Sequence, residues 1–520
     1  MKKLMKMMMV VTLLFTLTAC ADRIFTNPAG IAQGAAPSVE AYYYEYDLPQ
    51  PLPIAAPPSY ISESNALRLA MRHPLTLNPL LNEDITVARI LRLIFEPLVV
   101  LDENLSPIGN LTQIEFSTDF SNALLVIRPD AFWSDGTPVT VEDLVFTVDT
   151  LRAASPNTIY RQNVENIRSI SRINSRTARV YFHNASVCAG VSLGFPLIPH
   201  NHYRGNLNAE PLGNGMFLFE SHTHMRNLTL VQNPSSFRQL SHLQEVEVIF
   251  LPDAQSKIYA FDQGRIDAIY LPLTEWVLHH SVRHPGYEIF PAMYFEFIGF
   301  NFDSVFANIH MRQAIAQVFD ACAAVYAIYL HHAQRATTAM HPASFMVADI
   351  NILPYDPTRA RALFHAETLR RPIVIIANED NPQRVSIARR LSQAINAIGF
   401  LTRLEILHYD EYFARLDEGD FDLFIGGMTL KNPPDLEVFF SGGFFMECEV
   451  LEDAYRHARQ AFFNEAQYLQ AWAEFQQVFA DRLPVISLGF RHSAVLTNAR
   501  ITQGEAPAPD NVFGRVNYWE

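Results

Sequence analysis

From residue 65 onward the chain switches repeatedly between two hydrophobic periods. Runs at 123–127, 179–182, 246–251 and 372–377 are rich in branched and aromatic residues and read as short strands. Helical spacing separates them. Thr140 and Asp143 form a capping-box pattern ahead of Leu144, Val145, Val148 and Leu151, and Asp356-Pro357 supplies an N-cap followed by a first-turn proline. Over 384–398, Ile387, Leu391, Ile395 and Ile398 fall on one helical face, which Gly399 terminates. The pattern is that of a mixed α/β protein. One echo stands out within it: 262–269 (Asp-Gln-Gly-Arg-Ile-Asp-Ala-Ile) and 417–424 (Asp-Glu-Gly-Asp-Phe-Asp-Leu-Phe) share a helix end, a glycine and then apolar-Asp-apolar entering a strand. Such widely separated copies read as corresponding elements of two similar α/β lobes, or as reuse of a common helix-stop-strand device.

Before residue 65 neither period holds. Lys2, Lys3 and Lys6 precede an apolar run over 7–17, too short for the ~20 residues that span a bilayer, and then Leu17-Thr18-Ala19-Cys20. Residues 1–20 thus read as an export signal whose end resembles a bacterial lipoprotein box, with Cys20 as the lipidated first residue of the mature chain. The alternative is an ordinary cleaved signal in which Cys20 is incidental. Over 21–61, Pro28, Pro37, Pro49, Pro51, Pro53, Pro57 and Pro58 disfavour helix and sheet ladders, so the segment reads as an extended tether. Tyr42, Tyr43, Tyr44 and Tyr46 could instead pack on the body.

Composition narrows the function classes. The 520 residues carry 49% hydrophobic and 12% aromatic side chains, enough to order several packing units. Lys and Arg number 39 against 54 Asp and Glu; without the three signal lysines the basic residues fall to 36 and the net charge to −18. That balance excludes a nucleic-acid surface, which needs a basic stripe to displace counterions. Beyond the signal, Lys257 and Lys431 are the only lysines. Cys188, Cys322 and Cys448 allow one bridge at most, and no CxxC spacing suggests zinc. An enzyme is the rival class. His279, His280 and His284, with His222 and His224 or His331 and His332, resemble a metal spacing, but there is no HExxH, no GxSxG and no Walker loop. Gly213-x-Gly215 lacks the third glycine of a dinucleotide loop, Leu218 standing there instead. No catalytic residue, metal or cofactor is expected.

Several segments match one family in order. Leu125-Val126-Ile127-Arg128, then Phe132-Trp133-Ser134-Asp135-Gly136-Thr137-Pro138-Val139-Thr140 and Glu142-Asp143-Leu144-Val145-Phe146, follow the signature "F-x-L-R... F-x-D-G-x-P-x-T-A-x-D-V". Leu77-Asn78-Pro79, Ile94-Phe95-Glu96-Pro97-Leu98, Leu212-Gly213-Asn214-Gly215, Phe300-Asn301, Met311-Arg312-Gln313-Ala314-Ile315, Tyr355-Asp356-Pro357 and Leu483-Pro484-Val485-Ile486 fall in family order around it. The chain resembles the extracytoplasmic solute-binding proteins of peptide- and nickel-type ABC importers, family 5. The resemblance implies a type II periplasmic-binding-protein fold, two lobes joined by hinge strands with an extra inserted subdomain. Lobe I would comprise 62–94, 200–292 and 488–520, the inserted subdomain 95–199 and lobe II 293–487, with crossovers near Phe300-Asn301 and Leu488-Gly489. It also implies a monomer held outside the cytoplasm by lipid, at the bacterial cell surface or in the periplasm. Such a monomer delivers a peptide or small solute to ABC permease subunits served by a separate ATPase.

Peptide binders of the family carry Gly-Trp-x-x-Asp in one cleft loop, the aspartate meeting the ligand's ammonium. Here the loop reads Gly427-Met428-Thr429-Leu430-Lys431-Asn432-Pro433-Pro434. Met428 replaces the aromatic and Lys431 inverts the charge, which at close range turns attraction into repulsion of several kcal/mol. Lys431 would pair with an anionic group of the solute, the peptide would lie in another register, or the lysine would point to water. Met428, Thr429 and Asn432 are therefore expected at the ligand. Asn378 and Glu379 join them from a second cleft loop, and Phe297 beside Glu296 ahead of the crossover; the alternative for these is rim or core packing. The alternatives are a non-peptide anionic solute or metal chelate, and a sensing or structural lipoprotein that keeps the fold.

Overall fold

The structure is a computed structural model that describes residues 66–272, 286–330, 332–366, 371–431, 434–443, 445–459, 464–501 and 511–519. Cys20, the tether, His279, His280, His284, His331 and Asn432 lie outside the described residues. No helix among those described is long and apolar enough to cross a membrane.

Two α/β bodies share one long sheet. Its strand order is Ala268–Pro272, Val485–Thr497, Gly286–Phe300, Leu423–Thr429, Ile373–Asn378 and Thr402–Leu407, with Ala333–Arg335 paired onto Val485–Thr497. The strand Ile373–Asn378 is buried at every position and flanked by parallel neighbours, as a continuous apolar run should be when both faces are covered. A separate four-stranded sheet orders Ala66–Met71, Glu245–Phe250, Asn227–Gln232 and Phe217–Thr223, and another orders Thr112–Phe116, Asn122–Ile127, Thr177–Phe182 and Ile167–Arg172. One hydrophobic core runs under both of these from Leu67 to Leu271 and takes in Ala494 to Trp519. Two further cores, centred on Phe295–Phe490 and on Ile298–Leu488, fill the body built from the second half of the chain.

The family signature proves to be scaffold. Phe132 and Pro138 bridge across a turn in which Gly136 sits at φ 82°, open to a residue without Cβ strain, while Asp135 Oδ1 accepts from the Thr137 amide at 2.9 Å. The capping box ahead of helix Val141–Ala153 forms as expected, the Thr140 amide donating to Asp143 at 2.8 Å. The Trp133 indole N–H and the His200 amide bond the same carboxylate, at 3.2 and 2.8 Å. Gly213 and Gly215 also have a packing reason. A Cβ on either would lie 2.1 or 2.3 Å from the carbonyls of Ile94 and Leu93, so the glycines let this segment close the end of helix Ile85–Ile94.

The two echoed segments adopt one geometry. In the first, the Asp267 amide donates to the Arg68 carbonyl at 2.7 Å and its carboxylate accepts from the Arg68 amide at 2.7 Å. In the second, the Asp422 amide donates to Val374 O and its carboxylate accepts from Val374 N, both at 2.9 Å. Each carbonyl then receives an asparagine amide, Asn498 on Asp267 and Asn301 on Asp422, at 2.9 Å. A guanidinium forks onto each carboxylate, from Arg68 and from Arg371. The echo is thus a repeated device. Each copy ties the strand that leaves the aspartate to a neighbouring strand through the same pair of backbone bonds.

One strand changes its pairing partners along its length. Gly286–Phe300 runs unbroken, pairing with Val485–Thr497 throughout, and gains Leu423–Thr429 only from Tyr294 onward. The register shifts at Pro291–Phe295 and at Glu296–Phe297, opposite Gly489. Asn301 instead ends the strand, its amide group donating to the Gly419 and Phe421 carbonyls at 2.9 and 2.8 Å. The Phe-Asn pair signals a strand end, and the change of partners occurs where Pro291 withholds a ladder donor.

The segment before residue 200 also touches the second body. The Phe345 amide donates to Asn104 O at 3.1 Å, and Ser186 Oγ donates to Tyr468 Oη at 3.0 Å beside buried Cys188 and Met346. Cys188, Cys322 and Cys448 are all unbridged.

Candidate ligand cleft

Strands Ile373–Asn378, Thr402–Leu407 and Leu423–Thr429 are parallel, so their carboxyl ends open on the same edge of the sheet. Ligands of open α/β sheets sit outside such ends. After the first strand, Asn378 is buried and its Oδ1 accepts from the Asp380 amide at 2.8 Å, and Asn381 caps the helix Pro382–Ala397. Glu379 is exposed and pairs with His408, which follows the second strand. The third strand delivers Met428 and Thr429, both half-buried, opposite Phe295 and Tyr294.

Phe297 joins them from the neighbouring strand. It is 3% exposed and packs its ring against Phe295, Phe439, Phe424 and Phe445 at centroid distances of 5.6, 5.5, 5.9 and 5.8 Å. With Met428, Phe413, Gly427 and Arg384 it lines a cavity of about 30 Å³, room for one or two water-sized groups. The structure thus brings Phe297 and Met428 together, with Thr429 next along the strand. Lys431 lies beyond them at the rim, 59% exposed and 3.6 Å from Asp435.

The charged heart of this edge is a buried cluster. Arg384, in the first turn of its helix, donates Nε to Glu296 Oε2 and Nη2 to Tyr294 Oη, both at 2.9 Å. Tyr294 Oη donates onward to the Gly427 carbonyl at 3.1 Å. Arg491 approaches from the other side, Nε 3.4 Å from Glu296 Oε1 and its guanidinium carbon 4.1 Å above the Tyr294 ring. Glu296, Arg384 and Arg491 are 2%, 8% and 12% exposed. Burial alone lowers the Arg384 pKa, but the carboxylate at its side more than offsets this and holds it well above the usual value. Tyr329, buried beside the cluster with an unpartnered hydroxyl, has its pKa pushed well up by burial first and then by Glu296.

Of these, Glu296 and Phe297 are flagged by the sequence, whereas Arg384, Arg491 and Tyr294 are not. A signal did exist. Arg384 continues the stripe Ile387, Leu391, Ile395 toward the helix start, and Arg491 is the one Lys, Arg, Asp or Glu in the strand Val485–Thr497. A cation in a buried stripe, and in a first turn whose dipole repels it, marks a paired charge.

His222 and His224 stand near His73, with ring centroids 6.4 and 5.7 Å from it. Among the described residues no group of three or more His, Cys, Asp and Glu converges as a metal site. A polar hollow of about 420 Å³ opens at the amino ends of the same strands, lined by Asn301, Arg371, Arg403 and Asp420, on the edge away from the cluster.

Comparison with known proteins gives this geometry a family. A Brucella ovis protein assigned to peptide binding in an ABC transporter is 21% identical over 326 residues, 59% of this chain and 61% of its own length. Heme-binding protein A of Haemophilus influenzae is 23% identical over 52% of this chain and 53% of its own. The chain thus spans about three-fifths or less of the length of these relatives. Among solved structures, the ABC transporter substrate-binding protein CtaP of Listeria monocytogenes superposes with a TM-score of 0.74 at 17% identity, covering 88% of this chain and 99% of that one. The fold is therefore the two-lobed type II arrangement. The model of bacterial extracellular solute-binding proteins, family 5, matches residues 108–444, and the chain belongs to that family.

Proposed function

We propose that the protein is the solute-binding component of an ABC importer. It takes an oligopeptide or related small solute between its lobes and presents it to permease subunits powered by an ATPase on another chain. Proteins of this family serve transport rather than catalysis. The observation that carries the reading is the meeting, at the carboxyl ends of three parallel strands, of an apolar wall with buried polar groups that converge on it, the usual composition of a small-molecule site. Phe297, Met428, Thr429 and Asn432 would form the wall and its lip, with Asn378, Glu379 and Lys431 at the rim. Lobe I is taken as 62–94, 200–292 and 488–520, the inserted subdomain as 95–199 and lobe II as 293–487, supported by the change of strand partners at Pro291–Phe295. Lipid on Cys20 and the tether 21–61 would hold the monomer outside the cytoplasm.

Thermal unfolding with a peptide library tests the binding role. A true ligand at a hundredfold excess over its dissociation constant adds about 2.7 kcal/mol by mass action. No shift with any peptide, and no solute released on denaturing the purified protein, would overturn it. Replacing Cys20 by Ser should move the protein from the membrane to the soluble fraction; retention at the membrane would remove the anchor.

A further inference from the structure

We propose that His341 is a specificity-determining residue: its ring N–H reads an uncharged carbonyl oxygen at the tip of a solute side chain, as in a carboxamide. The inference deepens the binding reading above and rests on it. An aromatic row leads to the place. Phe297 packs on Phe295 with ring centroids 5.6 Å apart, Phe295 on Phe490 at 5.2 Å, and Phe490 on the His341 ring at 4.8 Å. The wall at Phe297 and Met428 thus continues to a second hollow, where the Leu430 amide donates to the Met293 carbonyl at 2.8 Å. Leu105 lines that hollow from the segment before residue 200, so it lies between the two bodies. Its volume is about 10 Å³, room for one water-sized group, which admits the end of a substituent and not a chain passing through.

The polarity of the hollow selects its occupant. Leu105, Met293, Ala339, Met340, Leu430 and Phe490 make most of its lining, and among the described residues no Lys, Arg, Asp or Glu joins them. His341, 5% exposed, supplies the polar side. The Ala343 amide donates to His341 Nδ1 at 3.1 Å, which leaves the ring proton on Nε2. Burial first and then His492 lower the His341 pKa to about 3, so the ring stays neutral. Its Nε2–H is buried and has no partner among the described residues, a cost that an accepting oxygen removes. Ser344 Oγ, also in the lining, accepts from the Met346 amide at 3.3 Å, so its own proton remains to be donated. Two uncharged donors in an apolar lining match a neutral carbonyl oxygen. A carboxylate would lose its hydration there with no cation beside it.

The test titrates the full mature chain, by calorimetry and thermal shift, with tripeptides carrying glutamine, glutamate or norleucine at each position in turn. At one position glutamine should bind about ten- to a hundredfold more tightly than either counterpart. His341→Leu should abolish the preference over norleucine, while His341→Gln, which returns an N–H near the place of Nε2, should keep most of it. Ser344→Ala should reduce the preference in part, and it keeps the test decisive if His341→Leu does not fold. Three side chains bound alike, or a preference untouched by these variants, overturn this inference alone and leave the hollow to a trapped water. No binding of any peptide to the wild type overturns the binding reading together with it.

Discussion

A methyl group on Gly427 would lie 2.3 Å from Arg384 Nη2, 2.6 Å from Glu296 Oε2 and 2.8 Å from the Tyr294 ring. The buried cluster therefore rests on this glycine, and steric room rather than turn geometry is what the position demands. Gly427→Ala should cost about 1–3 kcal/mol in denaturant unfolding and weaken solute binding, because every atom it displaces belongs to one charge network. An alanine variant with unchanged midpoint and affinity would show that the cluster can shift freely. At the same scale, two imidazoles set a pH dependence. Burial lowers the His492 pKa to about 4 and the His341 pKa to about 3, the nearby His332 and His492 respectively adding to the effect. In the unfolded chain both titrate near 6.5, so below that pH the unfolded state takes up protons that the folded state refuses. Stability is full above 6.5 and falls as the pH drops toward 4, by up to about 1.4 kcal/mol per unit for each ring. Replacing both with Asn should flatten that slope; an unaltered slope would assign it to other groups.

Element-level features were the most legible in the sequence, because caps and stops are local. Thr140 with Asp143, Asp356-Pro357 and Gly399 lie within a few residues of what they start or terminate, and the structure forms each of them. Glu296 and Arg384 were not legible as a pair, since they meet across 88 residues through strand register that no local pattern encodes. The change of strand partners at Pro291–Phe295 was not legible for a related reason: an interruption in composition marks where a strand ends, not where it changes partners. The repeated aspartate device lies between these limits, visible as an echo, yet without its arginines. Those arginines decide its energetics. Asp267, fully buried, accepts from both Arg68 and Arg500, whereas Asp422 holds Arg371, which is 58% exposed and can turn to water. Asp267→Asn should thus cost about 3 kcal/mol and Asp422→Asn nearer 1 kcal/mol in urea unfolding. Equal costs would contradict the difference in burial.

Among the described residues, the segment before residue 200 meets the second body through polar and apolar contacts together. Ser186 to Tyr468 and Asn104 to Phe345 are hydrogen bonds, and Cys188 and Met346 pack sulfur to sulfur at 3.7 Å beside them. Cys188, Val187 and Val191 pack against the core of the second body, so parting these surfaces exposes a small apolar patch as well as the two hydrogen bonds, a cost that the proposed binding role would set against solute release. Tyr468→Phe combined with Ser186→Ala should favour the open arrangement. Small-angle scattering would then show a larger radius of gyration without ligand, and solute would dissociate several-fold faster. Identical scattering and dissociation would show that these contacts do not hold closure.

The strand Val485–Thr497 completes sheet pairing for Ala268–Pro272, and Val512, Phe513, Val516 and Trp519 are buried in the same core as Leu67 and Leu69. The earliest described strand thus waits for the last residues of the chain before its core can close. The first body therefore closes its core only with residues far along the chain from Leu67, and such non-local pairing makes its folding slow compared with a body built from contiguous chain.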